Sequence, residues 1–310
     1  MASRYLDPHT LSRIERLDLK ARYVVEGFIS GMHRSPYRGF SVEFAQHRGY
    51  VPGDDLKHLD WRVYAKSERY YVKQYEEETN LVAHILMDAS ESMAYGSPRS
   101  AGRMSKLEYA KLITASLSYL ILGQSDAVAV GVFDRDIKEY VERSTNEAHI
   151  HRICSVLERL APEKKTDIGG ILKRFAERIR RRGVIVLISD LFDDVDGVMA
   201  GIRRLRFGGH EVVVFHLLDE YELTFPFEGL IQFKGLEETG EALCHPRMLR
   251  KHYLEELGRY LARLRAGCRR AQVDYVQVDT STPVDVVLSA YLASRYRIIR
   301  AGRGGGTGRP

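Results

Sequence analysis

A chain of 310 residues that is 44% hydrophobic and 29% charged can bury a sizeable core as one large domain or two smaller ones, which excludes a mainly disordered protein. Forty-seven Lys and Arg against 42 Asp and Glu give a formal charge of +5. Residues 295–310 hold Arg295, Arg297, Arg300, Arg303 and Arg309 and no acid, so the excess sits at that end, and any hint of a polyanionic partner shrinks to it.

Cys154, Cys244 and Cys268 make an odd count with no C-x-x-C spacing, which argues against a disulfide framework or a cysteine zinc site and for a reducing compartment. The first twenty residues lack the basic-then-apolar order of a secretory signal. Apolar runs such as residues 112–122 fall well short of the ~18 residues a membrane span needs. The expectation is a soluble, cytoplasmic protein.

In chain order, Leu11, Ile14, Leu17, Val24, Val25 and Phe28 recur at helical spacing over residues 10–29. From about 35 to 80 the pattern is irregular, punctuated by Pro36, Gly39, Gly49, Pro52 and Gly53. Four strongly apolar runs then end at Asp88, Asp134, Asp190 and Asp219, with helical patterns at about 105–122, 147–160, 168–182 and 196–206 between them. Strands this apolar are buried on both faces. A hairpin-like insertion at about 221–245, a long amphipathic helix at 246–270, a strand at 274–279 and a helix at about 283–295 follow. The fold class is α/β: a doubly wound, mainly parallel sheet with helices on both faces over residues 81–295. An α+β segment over 1–80 precedes it, and a disordered, basic, Gly-rich tail over 296–310 follows. In such a sheet the ligand site lies beyond the carboxyl ends of the strands.

At the end of the first core strand stand Asp88, Ser90 and Ser92, alternate residues whose side chains point the same way in an extended loop. Asp190 ends a second core strand, and Thr166 lies before the helix leading into it. Five hard oxygen donors at strand ends suit Mg²⁺, with Mn²⁺ or Ca²⁺ as other occupants. The plainer reading has Ser90 or Ser92 capping a turn or the helix near 105, and Asp190 capping the helix near 196.

These residues resemble the metal-ion-dependent adhesion site of von Willebrand factor A domains. The resemblance implies that Asp88, Ser90, Ser92, Thr166 and Asp190 surround one divalent cation. The segment over 38–80, with Gly53-Asp54-Asp55, Asp60-Trp61 and many Tyr, runs directly into the apolar strand and Asp88. It looks like the bacterial family called domain of unknown function 58, and the likeness covers about 11–295. Many members of that family carry two N-terminal membrane helices, which this sequence lacks, so membrane attachment is not carried over. The family is often encoded beside MoxR-type AAA+ ATPases, which implies such an ATPase as a partner.

The resulting expectation is a non-enzymatic adaptor whose metal site takes an acidic side chain of a partner. A metal-dependent phosphoester hydrolase is the alternative, weakened because position 90 is Ser where a D-x-D hydrolase carries a second Asp. Nucleic-acid binding is a second alternative. It rests on Arg178, Arg180, Arg181 and Arg182 and on Arg203, Arg204 and Arg206, which helix C-termini followed by Gly explain equally well. His149 and His151 read as surface histidines. The 53–61 block reads as a Pro-Gly turn and a capped short helix anchored by Trp61, or else as a docking surface to which Glu76, Glu77 and Glu78 contribute.

Overall fold

The computed structural model describes residues 82–97, 104–162, 167–179, 181–234 and 241–303, with parts of 16–25 and 47–73. The chain divides into two compact units, Met1–Gly31 with Leu81–Pro310, and Met32–Asn80. In the smaller unit β1 (His47–Gly49) and β2 (Tyr71–Lys73) pair antiparallel. The rings of Tyr64 and Tyr70 stack there with centroids 4.5 Å apart. The 53–61 block, Glu76, Glu77, Glu78 and residues 304–310 lie outside the described residues.

The strands of the larger unit follow the apolar runs. They are β3 (Val82–Asp88), β4 (Ala127–Phe133), β5 (Ile137–Ser144), β6 (Val184–Ser189), β7 (Glu211–Leu218), a separate antiparallel pair β8 (Ile231–Lys234) and β9 (Glu241–Cys244), and β10 (Asp274–Asp279). Six of them form one sheet in the order β10-β7-β6-β3-β4-β5, parallel throughout except at the β4–β5 edge. The fold is therefore the doubly wound, mainly parallel α/β sheet that the sequence implied.

Between the strands run α1 (Lys106–Leu122), α2 (His149–Arg159), α3 (Ile168–Arg178), α4 (Val195–Phe207), α5 (Glu220–Thr224), α6 (Pro246–Arg270) and α7 (Val284–Arg303). Alternate strand residues face opposite layers. Ile85, Met87, Val130, Val132, Ile188 and Phe215 pack with α1, α2 and α7. Leu86, Ile185, Leu187, Val212 and Val214 pack with α3, α4 and α6. Each such side chain contributes about 1.5–3 kcal/mol of burial free energy. Helical residues near the start of the chain join the first layer through Leu17, Ala21 and Val24, and the Leu17 amide donates to Glu158 Oε1 at 2.8 Å.

Two elements depart from the expected pattern. β5 is an additional edge strand: Val141 packs into the first layer and Ile137 and Tyr140 against the second, while Glu139, Glu142 and Arg143 stay exposed. Helix α7 runs to Arg303 rather than ending near Arg295, so the basic stretch from 296 to 303 is helical instead of tail.

Helix starts are capped by residues other than the candidate ligands. Ser105 and Glu108 form a reciprocal capping box at α1, in which Ser105 Oγ accepts from the Glu108 amide at 3.2 Å and Glu108 Oε2 accepts from the Ser105 amide at 2.9 Å. Asp167 Oδ1 accepts from the Gly170 amide at α3, and Asp194 Oδ2 from the Gly197 amide at α4, both at 2.8 Å. Helices α3 and α4 meet at Gly169 and Gly197, where a Cβ on Gly169 would lie 2.8 Å from the Gly197 carbonyl. That close approach draws the start of α3 against the loop after β6, and the Ile168 amide donates to Asp193 Oδ2 at 2.8 Å. Among the described residues no helix is long and apolar enough to cross a membrane.

Candidate functional site

From β3 the chain proceeds outward to β4 and β5, then returns to the other side of β3 to build β6, β7 and β10. The strand order thus reverses between β3 and β6, and the crevice at the carboxyl ends of this pair is where a doubly wound sheet binds its ligand. Asp88 is the last residue of β3, and Asp190 follows the last residue of β6.

Asp88 is fully buried. Its Oδ1 accepts from the Ser90 amide at 2.9 Å, and its Oδ2 accepts from the Ser189 hydroxyl at 2.6 Å. Burial, and then the charge of Asp190, push the Asp88 carboxyl up to about 7 against the opposing pull of the Ser189 and Ser90 hydrogen bonds. The hydroxyls of Ser90 and Ser92 lie 3.1 Å apart at the mouth of the crevice, and Ser90 opens the 3-10 turn Glu91–Ala94 without a side-chain cap bond. The plainer capping reading therefore does not account for Ser90, Ser92 or Asp190: the caps belong to Ser105 and Asp194.

Asp190 is held from three sides. Its Oδ1 accepts from the Phe192 amide at 3.3 Å, and its Oδ2 accepts from the Lys106 ammonium at 2.8 Å. Its carbonyl faces His216 Nε2 at 2.7 Å. A carbonyl can only accept, so His216 donates through Nε2–H, and its Nδ1 accepts from the Tyr275 hydroxyl at 2.7 Å. Burial pushes this imidazole down to about 4, which keeps it neutral in that role. The next residue, Leu191, takes a left-handed φ of 54° with its side chain fully buried. Its amide donates to Ser189 Oγ at 2.9 Å and its carbonyl accepts from the Tyr260 hydroxyl. A non-glycine residue in this region stores strain that surrounding bonds must hold, and such strain concentrates at functional loops.

Lys106, the first residue of α1, is 1% exposed, and its ammonium also reaches Glu222 Oε1 at 2.6 Å. The Phe192 ring lies 4.9 Å from the nitrogen. Burial opposes its charge, yet the carboxylates of Asp190 and Glu222 hold its pKa above the usual value. Glu222 Oε2 in turn accepts from the Asp219 amide at 2.7 Å, and Asp219 Oδ2 from the Ser97 amide at 3.0 Å. This network ties the loops after β3, β6 and β7 together. Neither Lys106, Glu222, Ser189 nor His216 stands out in the sequence, where each looks like an ordinary strand or helix-end residue.

Thr166 lies outside the described residues. The four described candidates divide into Asp88, Ser90 and Ser92 on one lip of the crevice and Asp190 on the other. Two carboxylates near enough for one to raise the pKa of the other, with two converging hydroxyls beside them, are a hard-oxygen donor set that fits Mg²⁺, Mn²⁺ or Ca²⁺. Among the described residues no three His, Cys, Asp or Glu side chains gather as a metal-binding group, so a cation here would depend on the hydroxyls.

The family model described as "Protein of unknown function DUF58" matches residues 46–259. The chain belongs to this family. It is 24% identical over 235 residues to the uncharacterized protein Mb1516 of Mycobacterium bovis, a match covering 74% of this DUF58 chain and 72% of that protein. Among solved structures, the conserved hypothetical protein BatB from Bacteroides thetaiotaomicron is similar at 17% identity with a TM-score of 0.45, over 70% of this chain and 99% of BatB. The SpRpn10 VWA domain is similar at 11% identity with a TM-score of 0.38, over 67% of this chain and 93% of that domain.

Proposed function

We propose that this DUF58 protein is a metal-dependent protein-docking module, a non-enzymatic adaptor working in the cytoplasm. The observation that carries the reading is the placement of Asp88 and Asp190 at the carboxyl ends of the neighbouring strands β3 and β6, where the strand order reverses, with the Ser90 and Ser92 hydroxyls converging just after Asp88. Asp88, Ser90, Ser92 and Asp190, joined by Thr166 from the segment before α3, would hold the cation. A divalent ion held there supplies an open, Lewis-acidic coordination position for a Glu or Asp of a partner. The protein's own part is to fix the donors. Ser189 and the Ser90 amide orient Asp88, while His216, the Phe192 amide and Lys106 orient Asp190. The partner we propose, from the family resemblance, is a MoxR-type AAA+ ATPase.

The phosphoester hydrolase reading asks for a free base beside Asp88, and Asp190 is already engaged by the Lys106 ammonium and the Phe192 amide. The side chain two residues after Asp88 is a serine, and Asp193, Asp194 and Asp196 are engaged elsewhere, with the Ile168 amide, the Gly197 amide and Arg263. Two of the clustered arginines have structural partners: Arg178 lies over the Tyr140 ring at 4.2 Å and pairs with Glu142, and Arg206 donates to the carbonyls of His210 and Ala271.

The test is affinity purification of the full chain in Mg²⁺, with and without EDTA, beside Asp88→Ala and Asp190→Ala. The MoxR-type ATPase should co-purify with the wild type and be lost in the other three conditions. Equal recovery in all of them would overturn the reading.

A further inference from the structure

A buried lysine at the first position of a helix is costly twice over. Its ammonium gives up water, and it stands at the positive end of the helix dipole. Lys106 is in that position at 1% exposure, with Asp190 Oδ2 at 2.8 Å and Glu222 Oε1 at 2.6 Å and with Phe192 beside it. These two carboxylates offset the cost, and one of them is a donor of the candidate metal site. The same Asp190 is therefore asked to serve two cations.

We propose that Lys106 is a resident cation of the site, tethered to α1, which competes with the divalent ion for Asp190 and thereby sets how tightly that ion is held. The inference rests on the metal-site reading above. Glu222 is the second half of the device. It gives the ammonium a second partner, on α5 after β7, so Lys106 stays paired when Asp190 turns to an incoming cation. Because Glu222 also accepts from the Asp219 amide, and Asp219 binds the Ser97 amide, a shift of Lys106 toward Glu222 is felt in the loops after β3 and β7. Those loops form the rim that a docking partner would touch.

Electrostatics gives the direction. With Asp88, Asp190 and Glu222 charged, Lys106 cancels one of three negative charges, and removing it would strengthen the field on a divalent ion held by Asp190. Even with a surface-like dielectric the gain is about tenfold or more in affinity. Replacing Lys106 and Glu222 together leaves the formal charge of the cluster unchanged, which separates competition for the Asp190 oxygen from a general charge effect.

The experiment is Mn²⁺ titration of the full chain by calorimetry, with circular dichroism melts to verify folding, for wild type, Lys106→Gln, Glu222→Gln and the double variant. Lys106→Gln should bind Mn²⁺ about tenfold or more tightly than wild type. The double variant should also bind more tightly despite its unchanged charge, and Glu222→Gln, which leaves the lysine on Asp190 alone, more weakly. If Lys106→Gln fails to fold with an unpaired carboxylate pair, the double variant carries the same comparison. Folded lysine variants that bind Mn²⁺ no more tightly than a wild type that does bind it would overturn the proposal and leave the metal site standing. No Mn²⁺ uptake by any of the four proteins, or uptake unchanged when Asp88→Ala is titrated beside them as the control, defeats the metal-site reading and the lysine inference with it.

Discussion

The Ser189 hydroxyl donates to Asp88 Oδ2 at 2.6 Å, so the last residue of β6 holds the last residue of β3 across the crevice between them. Both groups are fully buried, and a hydrogen bond to a buried carboxylate stabilises by about 1.5–3 kcal/mol. Ser189→Ala should lower unfolding free energy by about that amount in urea titrations, with the slope unchanged. It should also weaken Mn²⁺ binding, because Asp88 is no longer held in place. Unaltered stability and unaltered binding together would show that the bond orients nothing.

His84 sits within β3 at 6% exposure, facing the Tyr140 hydroxyl at 3.4 Å from β5, with His210 and Arg143 as its charged or titratable neighbours. Burial, then the charges of His210 and Arg143, push its pKa down to about 4 from 6.5. A depressed imidazole contributes stability that is fully present above pH 6.5 and is lost as pH falls toward 4, because the unfolded chain takes up the proton first. The loss is on the order of 2–3 kcal/mol over that window. His84→Asn should flatten the pH dependence of stability between pH 6.5 and 4, measured by denaturant melts at fixed salt, and an identical slope would refute the assignment.

Gly169 allows α3 and α4 to touch, since a Cβ there would meet the Gly197 carbonyl at 2.8 Å. Gly169→Val must push the helices apart, at a cost of about 1–3 kcal/mol. The displacement would also strain the Ile168 amide bond to Asp193. The expected outcome is a lower melting temperature together with weaker cation binding. A variant as stable as wild type would mean that the helices slide without cost.

Ser105→Ala removes one half of the α1 capping box and should destabilise the protein by about 1 kcal/mol. Because Lys106 is the next residue, the fraying should reach the Asp190 ion pair. Amide hydrogen exchange at the start of α1 is the readout, and unchanged protection there would separate the cap from the site.

Much of this was legible in the residues. Asp88 and Asp190 announce themselves because each ends a run that is apolar on both faces, and a carboxylate in that place needs a reason. The alternating Ser90 and Ser92 add the second clue. The strand β5 was not legible, since Ile137–Ser144 interleaves Lys138, Glu139, Glu142 and Arg143 with apolar residues and lacks the continuous apolar run of the inner strands. Helix α5 is five residues long, too short for a periodicity to show. Lys106 was hidden for a different reason. One lysine in the first turn of a helix looks like any solvated side chain until the loop carrying Glu222 folds over it, and that encounter links residues 116 positions apart. The helical end of α7 was masked by its arginines, which as composition read like tail.

The strand β5 closes one margin of the sheet. It runs against the direction of the others, its register with β4 slips at two places, and Glu139, Glu142 and Arg143 are exposed along it. Irregular, charged borders of this kind refuse the addition of a further strand from another chain. Association by sheet extension is thereby discouraged on that side, so copies of this protein can crowd together in the cell without zipping edge to edge there.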